Sequence, residues 1–313
     1  MRILKVGKHE VQVTHEEKIL FPESPLRQGL SGHAKITKGD LINYYSKIAP
    51  VMILYVKNRP IMMHRFVEGI GQEGFYQKNI SDYFPDWIER AEINKLEGGM
   101  ITQVLCNNPE TLVYIANQLC ITIHTWLSKI DKINYPDKLV FDLDPAGPKP
   151  EESFALVIKA AKKIKEFLEN LGLTTFVMTT GSKGLHVVVP IKRENTFEYV
   201  KNFARDCATI LEKENPEIFT NEMRKEKRGT KIFLDIYRNA YAQTSVAPYA
   251  VRAIEGAPIA TPIRWSEVNK NLTAQKYNIK NIFARLEKKG DAWEDFEKSA
   301  CSLAHPALKL RRA

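Results

Sequence analysis

The chain has 313 residues, 44% of them apolar, which is enough to bury a substantial core in one large domain or two small ones. Its 46 Lys and Arg residues outnumber 37 Asp and Glu residues, and the formal charge of +9 favours a polyanionic partner without proving one. No apolar run approaches the roughly 20 residues of a membrane span, and the N-terminus lacks the apolar core of a signal peptide. Four scattered cysteines without a CxxC pair are expected to be core thiols of a reducing cytosol.

The first 135 residues alternate helix and strand signals. Residues 37–40 cap a helix that runs from Leu41 to about Val56, since aromatic and apolar side chains recur there at helical spacing. A short helix with a Thr cap is also expected at residues 14–18. The other predicted elements of this part are a turn and strand over residues 59–66, a hairpin over 92–105, a helix over 112–119 and a strand over 121–124.

Two pairs of side chains in this part are candidates for binding. Lys18 and Lys38 lie near predicted helix starts, where backbone N–H groups favour an anion, although isolated lysines are more often solvated surface. Phe75 and Tyr76 follow a glycine-rich loop and precede Lys78. Aromatic rings beside a cation can stack a base and hold a phosphate, but half-buried core aromatics fit the pattern equally well.

An apolar strand over residues 138–144 ends in two carboxylates, Asp142 and Asp144. Because successive side chains of a strand alternate between its faces, these two point the same way and Leu143 points the opposite way. Two neighbouring carboxylates on an apolar strand repel each other and resist loss of water, so a cation is expected to neutralise them. Hard oxygen ligands suit Mg²⁺ or Mn²⁺. For an isolated Asp-x-Asp, an acidic turn at a strand end is the equally weighted alternative.

The elements from residue 138 onward follow the order β-α-β-β-α-β, the ferredoxin-like arrangement. After the first strand come a loop and helix over 148–170, strands over 174–180 and 185–189, a helix over 197–214 and a strand over 231–237. In that topology the first strand lies between the third and the fourth, so Asp142 and Asp144 would neighbour His186 and Asp235. Such a cluster, with a Gly-Ser-Lys-Gly turn and a basic loop over 223–229, favours metal-dependent phosphoryl transfer on nucleic acid.

Several motifs closely resemble the polymerase domain of bacterial ligase D, a branch of the archaeo-eukaryotic primase superfamily. The likeness covers essentially residues 10–300, and the motifs fall in the order of that family. They are FDLDP (141–145), TGSKGLH (180–186), IFLD (232–235) followed by Arg238-Asn239, GFYQK (74–78), HTW (124–126), SVAPY (245–249) with VRA (251–253), TPIRW (261–265) and GDAW (290–293).

The resemblance implies an α+β fold with a primase-like catalytic core. Its β-α-β-β-α-β sheet would be of the RRM or ferredoxin-like type, with an N-terminal α/β module packed against it. One primase-polymerase domain is expected over residues 1–313. Its parts would be an N-terminal module (1–135) with 5′-phosphate and template contacts, a catalytic core (136–260) and a C-terminal helical extension (261–313).

The resemblance also implies roles for individual residues. Two divalent ions, Mn²⁺ or Mg²⁺, would be held by three carboxylates: Asp142, Asp144 and Asp235. The phosphates, sugar or base of a nucleotide would be contacted by eight residues: Arg65, Phe75, Tyr76, Thr180, Ser182, Lys183, His186 and Arg252. A DNA 5′-phosphate would be gripped by Lys18 and Lys38, and the primer strand by a loop that contains Arg228. The supporting positions are His124 and Arg238.

The implied activity is that of a DNA repair polymerase of non-homologous end joining. It would add nucleotides, preferably ribonucleotides, to primer 3′ ends at gaps and double-strand breaks, and loops at residues 90–101 and 216–230 would align broken ends. Expected partners are gapped or broken DNA with a 5′-phosphate, nucleoside triphosphates, Ku and a separate DNA ligase. The protein is expected to be cytoplasmic, nucleoid-associated and monomeric off DNA. The alternatives are a primase that starts chains de novo, a two-metal nuclease and a non-catalytic module that bridges DNA ends.

This sequence departs from the family pattern at a few positions. Thr180 replaces a frequent Ser but keeps the hydroxyl, and Ala250 replaces a usual Ser. His64 stands where relatives are commonly apolar or basic, which leaves its role open. The chain lacks the Lys-x-Asp-Gly motif of a ligase and has no room for a phosphoesterase domain, so it is expected to be the polymerase alone, either as a separate gene product or as a part cut from a larger protein.

Overall fold

The computed structural model describes residues 2–24, 33–145 and 154–311, and the predicted loop at 148–153 lies outside these ranges. The described residues form a mixed α+β fold with six α-helices and sixteen strands. Along the chain these are β1 (Arg2–Val6), β2 (His9–Val13), β3 (Ile19–Phe21), β4 (Ile36–Thr37), α1 (Lys38–Val56), β5 (Ile61–Arg65), β6 (Phe75–Gln77), β7 (Arg90–Asn94), β8 (Met100–Val104), α2 (Pro109–Asn117), β9 (Cys120–Trp126), β10 (Lys138–Pro145), α3 (Phe154–Asn170), β11 (Phe176–Thr179), β12 (Leu185–Pro190), α4 (Phe197–Glu214), β13 (Phe219–Thr220), β14 (Ile232–Asp235), β15 (Thr244–Val246), β16 (Thr261–Ile263), α5 (Ile282–Lys289) and α6 (Ala304–Leu310).

The chain forms two compact units, and neither is continuous in sequence. The first unit comprises Met1–Trp126, Thr244–Ala260 and Tyr277–Ala284, and the second comprises Leu127–Gln243, Thr261–Lys276 and Arg285–Ala313. Residues 244–260, which the sequence groups with a catalytic core, cluster with the N-terminal part because β15 pairs with β9. No helix in the described parts of the chain is long and apolar enough to cross a membrane.

The first unit is built on an antiparallel sheet with the strand order β15-β9-β5-β6. Helix α1 begins as predicted: the hydroxyl of Thr37 accepts from the N–H of Asp40, and the Asp40 carboxylate accepts from the N–H of Thr37. The buried Tyr45 hydroxyl donates to the carbonyl of Ile121 at 2.7 Å and ties α1 to β9. The predicted β7–β8 hairpin and helix α2 are confirmed.

The short helix predicted at residues 14–18 is wrong. This segment is a turn in which the N–H of Lys18 donates to the carbonyl of His15 at 3.1 Å. His15 has a φ of +52°, in the left-handed region, and a right-handed helix cannot pass through a residue in that conformation.

The second unit is built on a six-stranded sheet with the order β13-β14-β10-β12-β11-β16. Strand β10 lies between β12 and β14 and is antiparallel to both, so the predicted β-α-β-β-α-β order and its central first strand are confirmed. The segment after residue 260 is not purely helical, because β16 pairs with β11 at the sheet edge. The indole N–H of Trp293 also donates to the carbonyl of Val177 at 3.0 Å and fastens the C-terminal part to β11.

Strand β14 is shorter than the predicted strand over 231–237. It ends at Asp235, because Ile236 has a φ of −101° and a ψ of −2° and turns the chain out of the sheet. Residues Tyr237–Asn239 then form one 3₁₀ turn. This early end of the strand shapes the site described next.

Candidate metal centre and nucleic-acid contacts

Three carboxylates converge on the second unit's sheet because of strand register. Asp142 on β10 pairs directly with His186 on β12 and with Asp235 on β14. Asp144 lies two residues along the same strand, so it shares a face with Asp142. One oxygen from each of Asp142, Asp144 and Asp235 lies within 4.8 Å of the others, and these residues form a convergent acidic cluster.

The side chains of His186 and Arg238 flank Asp142. Nε2 of His186 lies 3.2 Å from Oδ1 of Asp142, and Nε of Arg238 donates to Oδ2 at 3.3 Å. Burial raises the pKa of Asp142, but attraction to His186 and Arg238 outweighs it and brings the pKa to about 2. Asp142 is therefore ionised at neutral pH although it is buried.

The other two carboxylates shift in the opposite direction. Burial, followed by repulsion from Asp142 and Asp235, raises the pKa of Asp144 to about 6. Burial also raises the pKa of Asp235, against the effect of the Tyr237 N–H, which donates to Oδ1 of Asp235 at 2.7 Å. Mutual repulsion of this kind is relieved by a cation among the carboxylates.

The chemistry of the cluster fits divalent metal ions. All its ligand atoms are hard carboxylate oxygens, the donor type that Mg²⁺ and Mn²⁺ prefer. Oδ1 of Asp142 is buried with Nε2 of His186 at 3.2 Å, and because a carboxylate oxygen has two lone pairs, one remains for an ion. Within the described ranges this is the one group of three or more His, Cys, Asp or Glu side chains that converges in this way.

The turn between β11 and β12 is shaped by Thr180, whose hydroxyl is buried. It accepts from the N–H groups of Ser182 and Gly184, each at 3.2 Å, and donates to the carbonyl of Gly184 at 3.1 Å. Gly184 packs so closely on β10 that an added Cβ would overlap the carbonyl oxygen of Leu143. Thr180 thus shapes the turn, while Lys183 is exposed at its tip and Ser182 is half-exposed.

Arg228 organises the basic loop from inside. Its side chain is 8% exposed, with the guanidinium 3.7 Å from the ring centre of Phe233. Nε donates to the carbonyl of Glu222 and Nη2 to that of Met223, each at 2.8 Å. The side chain of Arg228, the predicted primer-strand residue, thus bonds within its own loop. The exposed cations of this loop are its neighbours Arg224, Lys225 and Lys227.

The first unit presents an accessible aromatic surface on β6. Phe75 and Tyr76 are 46% and 58% exposed, which excludes the alternative that they are core residues. The Tyr76 ring stacks on His64 with 4.0 Å between ring centres and 16° between planes. Arg65 lies 5.5 Å from the centre of the Phe75 ring, and Nε donates to the carbonyl of Gln118 at 2.7 Å. The contacts with His64 and Arg65 therefore hold the two exposed rings in place.

Two further predicted residues of the first unit, His124 and Arg252, lie near Tyr76 and His64. His124 on β9 approaches the Tyr76 ring edge-on at 6.0 Å between ring centres. Burial lowers the pKa of His64, and the nearby positive charge of Arg252 lowers it further, which favours a neutral imidazole under Tyr76. The N–H of Arg252 donates to the carbonyl of Pro258 at 2.7 Å.

Lys18 and Lys38 share a surface pocket of about 430 Å³ in the first unit, whose other lining residues are His15, Glu17 and Leu119. Burial, then the charge of Lys18, lowers the pKa of Lys38, whose Nζ donates to the carbonyl of Thr14 at 2.6 Å. Nζ of Lys18 lies 3.0 Å from a carboxylate oxygen of Glu68. The prediction that N–H groups at the helix start favour an anion beside these lysines is wrong. The N–H groups of Lys38 and Gly39 already donate to the carbonyls of Lys18 and Glu16.

Comparison with known proteins identifies the family of this chain. The sequence profile described as "LigD, primase-polymerase domain" matches residues 37–293. The chain belongs to this family. LigD primase-polymerase domains are nucleotidyltransferases, so the resemblance drawn from the motifs is confirmed and the chain is that kind of enzyme.

Two curated relatives are LigD proteins. The chain is 30% identical over 288 residues to the bifunctional non-homologous end joining protein LigD of Bacillus subtilis, an alignment that covers 92% of this chain and 44% of that protein. It is 29% identical over 283 residues to the multifunctional non-homologous end joining protein LigD of Mycolicibacterium smegmatis, covering 90% and 35%. This LigD primase-polymerase chain thus spans less than half the length of these relatives.

A solved structure supports the α+β architecture of the LigD primase-polymerase chain. The polymerase domain from Mycobacterium tuberculosis ligase D, in complex with DNA, aligns with a TM-score of 0.81 and 27% identity. The alignment covers 93% of this chain and 99% of that one.

Proposed function

We propose that this LigD primase-polymerase chain is a template-directed repair polymerase of non-homologous end joining. It adds nucleotides, with a preference for ribonucleotides, to primer 3′ ends at gaps and break ends. The observation that carries the proposal is the convergence of Asp142, Asp144 and Asp235 across β10 and β14, in a chain that belongs to a polymerase family. Residues 1–313 are proposed to serve this one reaction as a single primase-polymerase domain.

The acidic cluster is proposed to hold two divalent ions, Mn²⁺ or Mg²⁺. Asp142 and Asp144 would bridge both, and Asp235 would hold the one on the primer side. When bound, such ions lower the pKa of an attacking 3′-hydroxyl and neutralise charge on the departing pyrophosphate. Asp142 contributes a carboxylate that is ionised at neutral pH and needs no proton release before it binds an ion.

The nucleotide is proposed to be recognised by donors and by rings. The side chains of Ser182, Lys183, His186 and Arg252 would bind phosphates or sugar by charge-assisted hydrogen bonds. Phe75 and Tyr76 would stack with a nucleobase, and Arg65 would support Phe75. Thr180 would act indirectly, through the shape of the turn that carries Ser182 and Lys183.

The DNA partner is proposed by analogy with the DNA-bound mycobacterial polymerase domain. Lys18 and Lys38 would grip the 5′-phosphate on the far side of a gap, and their shared pocket supports this role. The double variant Lys18→Glu, Lys38→Glu should erase any preference for phosphorylated gaps. Lys5→Glu with Lys47→Glu makes the same charge change at two exposed lysines and should leave the preference intact. An undiminished preference in the first variant would place the phosphate site elsewhere.

Further partners are proposed from the printed roles of the relatives in non-homologous end joining. Ku and a DNA ligase would act with this polymerase at the break. The β7–β8 hairpin and the basic loop that contains Arg228 would align the two ends. The chain itself is proposed to be monomeric off DNA.

The experiment that tests the proposed function is primer extension on a short gapped duplex with a downstream 5′-phosphate. Ribonucleotides and deoxynucleotides are offered in parallel, with Mn²⁺ and with Mg²⁺. Template-matched addition that favours ribonucleotides and is stimulated by the phosphate is the expected result. Binding to the gap without any addition would point to an end-bridging module, and chain start without a primer would point to a primase.

A further inference from the structure

The ladder between β10 and β14 stops at the metal-binding pair. Its last paired residues are Asp142 and Asp235; continued in register, the ladder would place Phe141 opposite Ile236 and then Val140 opposite Tyr237. That backbone pair does not form, because Ile236 turns the chain out of the sheet. Backbone groups of a strand face the same neighbour at every second residue, so Val140 presents its N–H and C=O on the side where Asp142 meets β14.

The side chain of Asn239 takes the place of the missing backbone pair. Its Oδ1 accepts from the N–H of Val140 at 2.8 Å, and its Nδ2 donates to the carbonyl of Val140 at 2.7 Å. Nδ2 also donates to the carbonyl of Ile236 at 2.8 Å. Asn239 is fully buried, with 0% of its surface exposed, so these bonds are shielded from water. The amide group of Asn239 therefore continues the hydrogen-bonding pattern between β10 and β14 beyond Ile236, where the chain turns out of the sheet.

We call the Asn239 side chain, with its bonds to Val140 and Ile236, the amide clamp. The two backbone segments that it joins carry Asp142 and Asp235 of the acidic cluster. Val140 lies two residues before Asp142 on β10, and Ile236 follows Asp235 directly. The turn that Asn239 closes contains Tyr237, whose N–H fixes Oδ1 of Asp235. The single side chain of Asn239 thus fixes the backbone segments that carry both Asp142 and Asp235.

The same turn delivers Arg238 to Asp142. Arg238 precedes Asn239 directly, and its Nε reaches Oδ2 of Asp142 at 3.3 Å while its side chain stays 40% exposed. A long side chain that is partly exposed has many rotamers, so the position of its backbone decides which partner it reaches. The clamp on Val140 sets that position.

We propose that Asn239 is a positioning residue for the metal centre. It fixes the separation of Asp142 and Asp235 and seats Arg238 against Asp142, without itself touching an ion or a substrate. This role rests on the proposed function, because it presumes that the acidic cluster binds divalent ions. Groups that orient metal ligands from behind commonly change metal affinity by about 10- to 100-fold when they are lost.

A purely structural role for Asn239 predicts a different result. Loss of a buried hydrogen-bonded amide destabilises a fold wherever it lies. Asn117 provides the comparison: it is a buried asparagine of the first unit, and its Nδ2 donates to the carbonyl of Gln12 at 3.0 Å. Asn117→Leu should lower the melting temperature and leave Mn²⁺ affinity at the wild-type value.

The test measures Mn²⁺ binding to the full chain without nucleotide or DNA, by electron paramagnetic resonance and calorimetry. Asn239→Leu keeps the approximate side-chain volume and removes all three hydrogen bonds, and we expect at least about tenfold weaker Mn²⁺ binding. If the Leu variant does not fold, Asn239→Ser is measured instead, with an intermediate loss expected. In extension assays at saturating nucleotide, raising the Mn²⁺ concentration should restore a large part of the lost rate.

Two kinds of result would contradict the proposed role of Asn239. Wild-type Mn²⁺ affinity in a folded Asn239 variant, or an equal loss in Asn117→Leu, would overturn the positioning role while leaving the polymerase proposal intact. A wild-type chain that binds no Mn²⁺ would overturn the proposed metal chemistry, and this inference with it.

Discussion

Asp142 and Asp235 face each other as directly paired residues of two antiparallel strands, β10 and β14. The acidic cluster is therefore a product of strand register, since a slip by one residue would send one of the two side chains to the opposite face of the sheet. Asp144 joins them only because it lies two residues further along β10. The three carboxylates therefore lie on the central strand of the second unit's sheet and on its neighbour β14.

Replacing Asp235 should weaken ion binding more than it weakens the fold. Asp235→Asn keeps the size of the side chain and removes one negative ligand from a cluster of three. We expect Mn²⁺ affinity to fall at least about tenfold, measured by calorimetry. Asp131→Asn is the matched control, because Asp131 is an exposed carboxylate of the same unit that pairs with Arg193 at 2.8 Å. Equal affinity in both variants would remove Asp235 from the ligand set.

Ion binding should depend on pH through Asp144, whose pKa is raised to about 6. A carboxylate binds a metal ion only after it loses its proton, so a raised pKa moves the competition with protons towards neutral pH. Mn²⁺ affinity should be nearly constant above about pH 7 and fall about tenfold per pH unit below 6. Binding titrations between pH 5 and 8 measure this profile.

The control for the pH profile is Asp144→Asn, which has no proton to exchange in this range. Its Mn²⁺ affinity should be lower than that of the wild type and should vary less with pH between pH 5 and 8. A wild-type profile that stays flat down to pH 5 would contradict the control of ion binding by an Asp144 carboxyl with a raised pKa.

Glu68 should compete with DNA for Lys18. Its carboxylate lies 3.0 Å from Nζ of Lys18, and both side chains are partly exposed, so the ion pair is weak and replaceable. Glu68→Gln should bind duplexes with a 5′-phosphate about two- to fivefold more tightly and leave affinity for unphosphorylated duplexes unchanged. Fluorescence anisotropy on paired substrates measures both affinities. Glu73→Gln, at an exposed glutamate of the same loop, should change neither; a similar gain there would mean only a general charge effect.

Tyr76 should contribute to nucleotide binding through its exposed ring face. One face lies on His64 and the side chain is 58% exposed, so the ring is held ready to stack with a base. Tyr76→Ala should raise the KM for nucleotide about 5- to 150-fold, the range of stacking contributions, with a smaller effect on kcat. Tyr76→Phe keeps the ring and should stay close to wild type in steady-state extension assays. An unchanged KM in Tyr76→Ala would exclude this surface as the base site.

The sequence predicts the core of the site well. The alternation of Asp142 and Asp144 along β10 and the β-α-β-β-α-β order suffice to bring Asp235 and His186 beside them, and this convergence is confirmed. These features depend on local periodicity and on a topology with few alternatives.

Features that depend on side-chain contacts between distant segments could not be read from the sequence. Asn239 bonds to Val140 across 99 residues, and His64 stacks under Tyr76 only because β5 and β6 pair in that register. The predicted helix at residues 14–18 failed for a related reason. A good cap sequence favours a helix locally, but the left-handed conformation of His15 leaves a turn instead.

The most direct test of the central claim compares wild type with Asp142→Ala on a gapped duplex. Single-nucleotide addition to the primer and affinity for the DNA end are measured on the same samples with Mn²⁺. We expect template-matched addition by the wild type and a loss of at least about 10²-fold in the variant, since metal ions supply several kcal/mol to such reactions. Affinity for the DNA end should remain largely intact. Extension by Asp142→Ala at a rate near that of the wild type would contradict the assignment of the acidic cluster as the catalytic metal centre.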